Sequence, residues 1–341
     1  MRKLLLPFLL ACAFGGPART QTTNDSPAPA IAPVSMQIGH GVNFGNMLDS
    51  SRAGVWGRSP KPDYFPLLRQ AGFTLIRMPI CWAAHVSPAP DFTVDPVFFG
   101  RVDWIVAQAK QNNLNIILDY HNDDALMKYP DANAGRFVAI WKQVAEHYRN
   151  EPATVLFELL NEPSHKLDGP HWNALLARTL AVVRASNPTR TVVVGPVHWN
   201  KIEALPQLIL PDNDRNLLVT IHFYEPMSFT HQGATWIHGS ENWPIGTKWL
   251  GTDAEKLAIT QAFDKAAAWS AANQRSIYVG EFGAYSTCDM DSRARWTAFV
   301  ARTAESHGFP WTYWEFFSGF GVYDPVAQAW RQPLLDALMP H

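Results

Sequence analysis

The sequence of 341 residues has few cysteines and no concentration of charge of one sign. Its 28 basic and 30 acidic side chains give a net charge of −2, and no basic cluster is present. Neither nucleic acid nor an anionic membrane surface is therefore suggested as a partner. The only cysteines are Cys12, Cys81 and Cys288. Three cysteines are too few for a disulfide framework, and we expect Cys81 and Cys288 to be free, buried thiols.

Several catalytic and cofactor motifs are also missing. No G-x-G-x-x-G follows an apolar run, which argues against a dinucleotide-binding doubly wound sheet. No H-E-x-x-H and no other zinc or calcium spacing occurs, and Asp123-Asp124 beside His121 is more typical of a solvated loop than of a metal site. No G-x-S-x-G elbow occurs, which argues against a serine hydrolase. We expect neither a metal nor a cofactor.

Long hydrophobic runs are absent as well, and the N-terminal apolar run at 4–13 is too short to span a bilayer. It follows Arg2-Lys3 and has the length of a signal-peptide core, and Ala11-Cys12-Ala13 is an A-x-A-like cleavage site. We expect residues 1–16 to be a signal peptide for a secreted or periplasmic protein. The segment before Ala13 also resembles a lipobox with Cys12 as the lipidated residue, so an outer-membrane lipoprotein is the alternative.

Residues 17–36 are rich in Pro, Ala, Ser and Thr and have little apolar bulk. Such a composition cannot bury a core and is typical of a linker. The remaining residues, 37–341, are enough for one large domain.

Eight short runs rich in apolar and β-branched residues recur along this domain. They are nearly continuous in hydrophobicity rather than alternating, which is typical of parallel strands covered on both faces. Segments with apolar stripes at helical spacing lie between most of them, for example at 96–113 and 135–150. Eight strand–helix units predict a single-domain (β/α)₈ barrel. The runs are 40–46, 74–80, 114–121, 154–162, 190–197, 217–224, 276–282 and 310–316.

Polar or amphipathic side chains recur where these runs end. Glu162 and Glu281 each close an apolar run, although removing a carboxylate from water is costly. A lone histidine at a strand end usually has a structural role, but here most of the eight runs end in a polar or amphipathic side chain, which favours a functional site. Because catalytic groups of a barrel collect at the C-terminal ends of its strands, we expect one cavity ringed by these side chains. The set is Arg77, His121, Asn161, Glu162, His222, Tyr224, Glu281 and Trp314. Glycoside hydrolysis requires such a pair of carboxyl groups.

Six short motifs at these positions together resemble the family 5 glycoside hydrolases, a large group of bacterial cellulases. They occur in order, each at a predicted strand end, and the resemblance covers essentially 37–341. The segment FTHQGATW (229–236) further resembles an endoglucanase-like branch, some of whose members also cut mannan. The motifs are IRMP (76–79), DYHN (119–122), LNEP (160–163), HFY (222–224), GEFG (280–283) and YWEF (313–316).

The resemblance implies a retaining double displacement, in which Glu162 is the acid/base and Glu281 is the nucleophile. Arg77 would lie beside Glu281 and favour its charged form. Tyr224 would orient Glu281, and His222 would lie near Glu162.

The resemblance also implies how sugar is bound. Asn161 would bond the 2-hydroxyl, His121 would bind hydroxyls, and Trp314 would form a stacking floor. Many relatives have a His-His pair where this chain has His121-Asn122, which affects an outer sugar contact and not the chemistry. Candidates for outer subsites are Asn46, Asp49, Trp199, His231 and Trp236; their alternative is a structural role in loops and turns.

The leading hypothesis is a secreted, retaining endo-β-1,4-glucanase. We expect it to be a monomer whose partner is a β-linked polysaccharide or oligosaccharide. A β-mannanase or a mixed-specificity β-glycanase on the same groups is the alternative within this class. An inactive carbohydrate-binding barrel is the alternative from another class, although a binding module needs neither glutamate.

Overall fold

The computed structural model describes Met1, residues 38–50 and residues 59–340. Apart from Met1, the predicted signal peptide and linker lie outside the described residues, and so does Cys12. The domain boundaries at 16 and 36 therefore stay predictions.

Eight parallel strands close into a barrel in the order β1 to β8, and β1 pairs with β8 to complete the ring. Each predicted apolar run contains one of these strands, so the predicted (β/α)₈ barrel is confirmed. The strands are β1 (His40–Asn43), β2 (Leu75–Ile80), β3 (Asn115–Tyr120), β4 (Val155–Glu158), β5 (Val192–Val194), β6 (Leu217–Phe223), β7 (Ser276–Phe282) and β8 (Trp311–Tyr313). A small antiparallel pair, β9 (Tyr323–Asp324) and β10 (Ala329–Trp330), follows them.

Helices fill most of the connections and pack around the barrel. Asp95 caps one of them by accepting a hydrogen bond from the backbone N–H of Val97, and Thr252 and Glu255 form a capping box at another. The connection from β5 to β6 has a 3₁₀ helix, Ile202–Gln207, interrupted by a proline. Among the described residues the α-helices are α1 (Tyr64–Gln70), α2 (Pro96–Gln111), α3 (Asp124–Lys128), α4 (Pro130–His147), α5 (Gly169–Ser186), α6 (Met227–Thr230), α7 (Asp253–Asn273), α8 (Met290–Ser306) and α9 (Gln332–Leu338), and a four-residue turn, Val197–Asn200, follows β5.

The barrel interior changes character from one end to the other. Its lower layer is a small apolar cluster: Ile38, Leu75, Ile117, Leu156, Val193, Leu218 and Tyr278. Because side chains alternate between the faces of a strand, the residue two positions later points into the same interior. On β2, β3 and β4 that residue is charged and fully buried: Arg77, Asp119 and Glu158. An apolar floor therefore supports a charged layer nearer the C-terminal ends of the strands.

Two buried tryptophans on the outer helices hold the loops that follow β4 and β5. The indole N–H of Trp141 on α4 donates to the carbonyl of Leu159 at 2.9 Å. The indole N–H of Trp172 on α5 donates to the carbonyl of Gly195 at 2.9 Å. Each side chain buries a large apolar surface and pairs a loop carbonyl at the same time, which fixes the loop against its helix.

Cys81 and Cys288 are free and buried, as expected from the sequence. Their thiols donate to the backbone carbonyls of Asn122 and Phe229. In the described part of the chain, no helix is both long enough and apolar enough to cross a membrane.

Arg190 ties the start of β5 to the end of α4 and the start of β4. Its guanidinium uses all five N–H donors, and one of them bonds the side chain of Asn187 at 2.7 Å. The other four donate to backbone carbonyls: Tyr148, Glu151, Pro152 and Val155. The carbonyls of Tyr148 and Pro152 also accept backbone N–H groups, from Glu151 and Val155, so Arg190 adds a side-chain brace to a turn that has its own backbone bonds.

We expect Arg190→Leu to lower the free energy of unfolding by about 3 kcal/mol, because it removes five hydrogen bonds of one buried side chain. Urea denaturation followed by circular dichroism measures this change. Arg149→Leu is the matched control, since exposed Arg149 pairs only with Glu146 at the surface and should cost at most about 0.5 kcal/mol. Equal losses in the two variants would contradict the role given to Arg190.

Candidate active site

The charged layer is organised around the buried guanidinium of Arg77, whose five N–H donors are all used. Nε and Nη2 donate to the two carboxylate oxygens of Glu158 at 2.7 and 2.8 Å. Nη1 donates to Asn43 Oδ1 at 2.9 Å and to Glu281 Oε1 at 2.8 Å. Nη2 also donates to Asn161 Oδ1 at 2.8 Å. A single side chain thus orients groups from β1, β4 and β7 and from the loop after β4.

The structure corrects the position expected for Arg77 and adds residues that the sequence analysis missed. Arg77 is the third residue of β2 and lies inside the strand, not at its end. Glu158 and Asp119 are its ion-pair partners, at 2.7 and 3.0 Å, and neither was singled out from the sequence. A signal for both was present in the sequence: each carboxylate lies two positions after an apolar residue, inside a run that we interpreted as continuously hydrophobic.

Glu281 lies near the end of β7, and both of its carboxylate oxygens have donors. Oε1 accepts from Arg77, and Oε2 accepts from the hydroxyl of Tyr224 at 2.8 Å. Tyr224 follows β6 by one residue, as the sequence analysis expected. The orientation of the Glu281 carboxylate is therefore set by one donor from β2 and one from the residue that follows β6.

Glu162 lies in the loop four residues beyond β4, with its backbone in the left-handed region at φ 48°. Its side chain is 27% exposed, and Oε1 is 2.8 Å from Nδ1 of His222. One side-chain ligand atom from each of Glu162, His222 and Glu281 falls within 4.8 Å of the other two. The selected carboxylate oxygens of Glu162 and Glu281 are therefore at most 4.8 Å apart, which is nearer to the roughly 5–5.5 Å between carboxyl groups of retaining glycosidases than to the roughly 6.5–9.5 Å of inverting ones.

A β-bulge brings His222 and Glu281 to the same cavity. The register between β6 and β7 shifts at Ile221 and His222, so that His222 pairs with Glu281 and Gly280 is passed over. A Cβ atom on Gly280 would lie 3.0 Å from His222 Nε2, so the imidazole occupies space that only glycine leaves open. Bulges of this kind re-aim side chains beside active sites.

The two carboxyl groups of the cavity have different surroundings. Removal from water raises the pKa of Glu162 to about 7, and among the described residues its carboxyl group pairs with Nδ1 of His222 at 2.8 Å. Burial lowers the pKa of His222 to about 4, so this imidazole is neutral near pH 7. Burial also raises the pKa of Glu158 to about 7, against the opposing effect of Arg77. Glu162 can therefore hold and release a proton near neutral pH.

His121, Asn161 and Trp314 lie next to one another just beyond the ends of β3, β4 and β8. His121 Nδ1 lies 2.6 Å from Asp119 Oδ2, and its ring is parallel to that of Trp314 at 5.9 Å. Because Arg77 holds Asn161 Oδ1, the amide nitrogen is left facing His121 Nε2 at 3.4 Å. The structure thus brings together the eight residues that the sequence analysis placed in one cavity, and their individual roles stay predictions.

Of the five candidates for outer subsites, two belong to a buried turn. Asp49 is buried and accepts from the backbone N–H of Asn46 at 2.9 Å, which is the structural alternative named for it. Asn46 is partly buried, has φ 63° and donates to Glu315 at 3.2 Å.

The other three candidates differ in exposure. Trp199 and Trp236 are 44% and 57% exposed, and Trp236 meets Tyr285 edge to face at 4.9 Å. His231 is buried and its ring packs edge to face against Tyr224 and Phe320. It therefore does not form part of an exposed surface. Contact of these side chains with sugar stays a prediction.

Within the described residues, 38–50 and 59–340, one group has the spacing of a metal site: Glu162, His222 and Glu281. Its donor atoms already pair with one another and with neighbours. His222 Nδ1 faces Glu162, and Glu281 accepts from Arg77 and Tyr224. A metal would have to replace these hydrogen bonds, so the arrangement suits proton transfer better than metal ligation.

Comparison with known proteins bears on this geometry. The sequence model of the cellulase family (glycosyl hydrolase family 5) matches residues 37–318. Endoglucanase H of Acetivibrio thermocellus is 31% identical over 328 residues, which cover 94% of this chain and 35% of that protein. The chain thus spans about a third of the length of the first curated relatives it matches.

Solved structures agree with the sequence comparison. Thermotoga maritima Cel5A in complex with mannotriose superposes with a TM-score of 0.87 at 40% identity, covering 89% of this chain and 98% of that one. The same T. maritima protein in complex with cellobiose gives the same values. The family match extends over most of the chain, and the chain belongs to the cellulase family, glycosyl hydrolase family 5.

Proposed function

We propose that the chain is a retaining endo-β-1,4-glucanase that cleaves β-1,4-glucan by double displacement. The observation that carries this proposal is the pair Glu162 and Glu281, close enough for retention and held in different surroundings. The relative named Endoglucanase H supports a β-glucan as the substrate. An inactive carbohydrate-binding barrel is disfavoured, because binding alone does not require the hydrogen bonds that orient both carboxyl groups.

In the first step, Glu281 attacks the anomeric carbon of the sugar while Glu162 gives its proton to the leaving oxygen. Arg77 and Tyr224 hold the Glu281 carboxylate in position for attack. The amide nitrogen of Asn161 donates to the 2-hydroxyl of the bound sugar, a contact that strengthens in the transition state. The products are a glycosyl ester on Glu281 and a shortened glucan.

In the second step, ionised Glu162 removes a proton from water, which attacks the anomeric carbon and releases Glu281. Two inversions give net retention of the β-configuration. His222 donates to Glu162 through this step, so the carboxylate does not face the cavity without a partner.

The substrate range is the second part of the proposal. T. maritima Cel5A has been solved with mannotriose and with cellobiose, which supports a mixed β-glycanase as the second candidate. Trp314 and His121 form the stacking floor of the subsite that holds the reacting sugar, and exposed Trp199 and Trp236 extend the cleft outward.

We further propose that the enzyme acts outside the cytoplasm as a monomer, either secreted or as a lipoprotein attached through Cys12. The basic start, the short apolar core and the Ala11-Cys12-Ala13 site support this proposal. Mass spectrometry of the mature N-terminus from the native host distinguishes cleavage alone from lipidation.

Barley β-glucan, carboxymethyl-cellulose and glucomannan, assayed side by side, test the activity. We expect fast cleavage of both glucans and slower cleavage of glucomannan, and proton NMR should show β-configured reducing ends in the first-formed products. Products that begin as the α-anomer would contradict the nucleophile role of Glu281. If none of the three polymers is cut, the chain is a binding barrel.

The roles of the two glutamates can be separated with azide. Glu281→Ala should reduce cleavage of every substrate by roughly 10⁴-fold, and azide should then give an α-glycosyl azide by single displacement. Glu162→Ala should slow poor leaving groups by about 10²–10⁴-fold but spare dinitrophenyl glycosides, and azide should give the β-azide. Glu203→Ala, an exposed glutamate, is the control. The opposite azide configurations would reverse the assignment.

The pH dependence of kcat/KM reports on Glu162. Since its acid form must donate a proton and its pKa is about 7, we expect activity on cello-oligosaccharides to fall as the pH rises through about 7. With a dinitrophenyl glycoside, which needs no acid help, this basic limb should disappear. A basic limb that is the same for both substrates would assign it to another group.

A further inference from the structure

The loop after β5 has a turn that side chains rarely adopt. His198, Trp199 and Asn200 are consecutive and all left-handed, with φ of 59°, 60° and 56°. Asparagine and histidine tolerate this region better than most side chains, but tryptophan does so only at a cost, and three such residues in a row require tertiary contacts to hold them. The turn carries Asn200 into the barrel, where its side chain is completely buried.

The amide of Asn200 reaches the imidazole that contacts Glu162. Asn200 Nδ2 is 3.2 Å from His222 Nε2, and His222 Nδ1 is 2.8 Å from Glu162 Oε1. A neutral imidazole has one N–H donor and one acceptor nitrogen. An amide NH₂ can only donate, so Nε2 accepts from Asn200 and the ring proton is on Nδ1, facing Glu162.

The position of this amide is fixed from its other side by Gly195. A Cβ atom on Gly195 would lie 2.0 Å from Asn200 Oδ1, so the residue there has to be glycine. The carbonyl of Gly195 is in turn held by the indole N–H of Trp172. If the amide were turned over, Oδ1 of Asn200 would face Nε2 of His222, and the ring proton would be on Nε2. The unprotonated Nδ1 would then face the ionised carboxylate of Glu162, and two hydrogen-bond acceptors would lie against each other.

We propose that Asn200 is a positioning residue that fixes the neutral ring of His222 with its proton on Nδ1. The ring then donates to Glu162 whether Glu162 holds its proton or has given it away. The other charged groups around the ring are Glu281 at 3.5 Å and, farther off, Arg77, Asp119 and His121. The catalytic consequence rests on the proposed function, but the position of the proton does not.

The position of the proton can be observed directly. In protein labelled with ¹⁵N-histidine, we expect a His222 spectrum with Nδ1 protonated and Nε2 unprotonated at pH 7, assigned by its loss in His222→Gln. A spectrum with the proton on Nε2 would overturn the proposal. This experiment needs no activity, so it separates the proposal from the proposed function: a wild-type protein that cuts no glucan can still have the Nδ1–H ring.

Variants of Asn200 test the consequence. Asn200→Asp places a carboxylate at Nε2, so His222 should gain a second proton and become an imidazolium. The positive charge beside Glu162 should lower the pKa of Glu162 and move the basic limb of kcat/KM down by roughly one pH unit. Asn273→Asp makes the same charge change at the exposed end of α7 and should leave the limb where it is.

Asn200→Leu removes the donor without adding charge. We expect kcat/KM for cello-oligosaccharides to fall about 10-fold, while a dinitrophenyl glycoside, which needs no acid, loses little in its first step. If Asn200→Asp leaves both the ¹⁵N pattern of His222 and the basic limb unchanged, Asn200 only fills space. Should both variants fail to fold, the wild-type spectrum alone still decides where the proton lies.

Discussion

The guanidinium of Arg77 is a positive charge in the middle of the barrel with no exposed surface, and the rest of the site depends on how that charge is matched. A buried ion is tolerated only when its hydrogen bonds are complete and its charge is opposed. Arg77 meets both conditions, because its five N–H groups are all used and three carboxylates surround it: Asp119, Glu158 and Glu281. Glu281 is therefore both a partner that Arg77 needs and the group that carries the proposed chemistry. The same guanidinium holds the oxygen of Asn161, which leaves the amide nitrogen facing His121.

The sequence was sufficient for the barrel and for most of the cavity, because both depend on simple periodic rules. Eight apolar runs predict eight strands, and the polar side chains at or just beyond their ends predict one cavity. The layer beneath was missed for a physical reason. Glu158 and Asp119 point into the barrel, two positions beyond Leu156 and Ile117, and an inward residue of a barrel strand is usually apolar. Contacts with Arg77, and for Asp119 also with His121, make carboxylates stable at that depth, and no rule of local sequence contains those contacts.

The loops set the second limit on prediction. Glu162, Trp199 and Asn200 all have left-handed backbones, although local preferences at tryptophan and glutamate oppose it. Their conformations are imposed by tertiary contacts, such as the packing of Asn200 against Gly195 and the bond from the Trp199 N–H to the carbonyl of Pro163. Sequence spacing could place Glu162 after a strand, but it could not show which of its neighbours would set its proton affinity.

Glu281 and Glu162 have different surroundings, which matches the different roles that the proposed mechanism gives them. The nucleophile Glu281 has to stay in one place and in one charge state until it attacks, and it lies on a strand with donors from Arg77 and Tyr224. The acid/base Glu162 has to lose and regain a proton in every cycle, and it lies on a loop where its described side-chain partner is His222. A second strong donor on Glu162 would stabilise its ionised form and weaken it as an acid. A neutral imidazole, with its proton directed at the carboxyl group, supports both forms of Glu162 without favouring the charged one as strongly as a cation does.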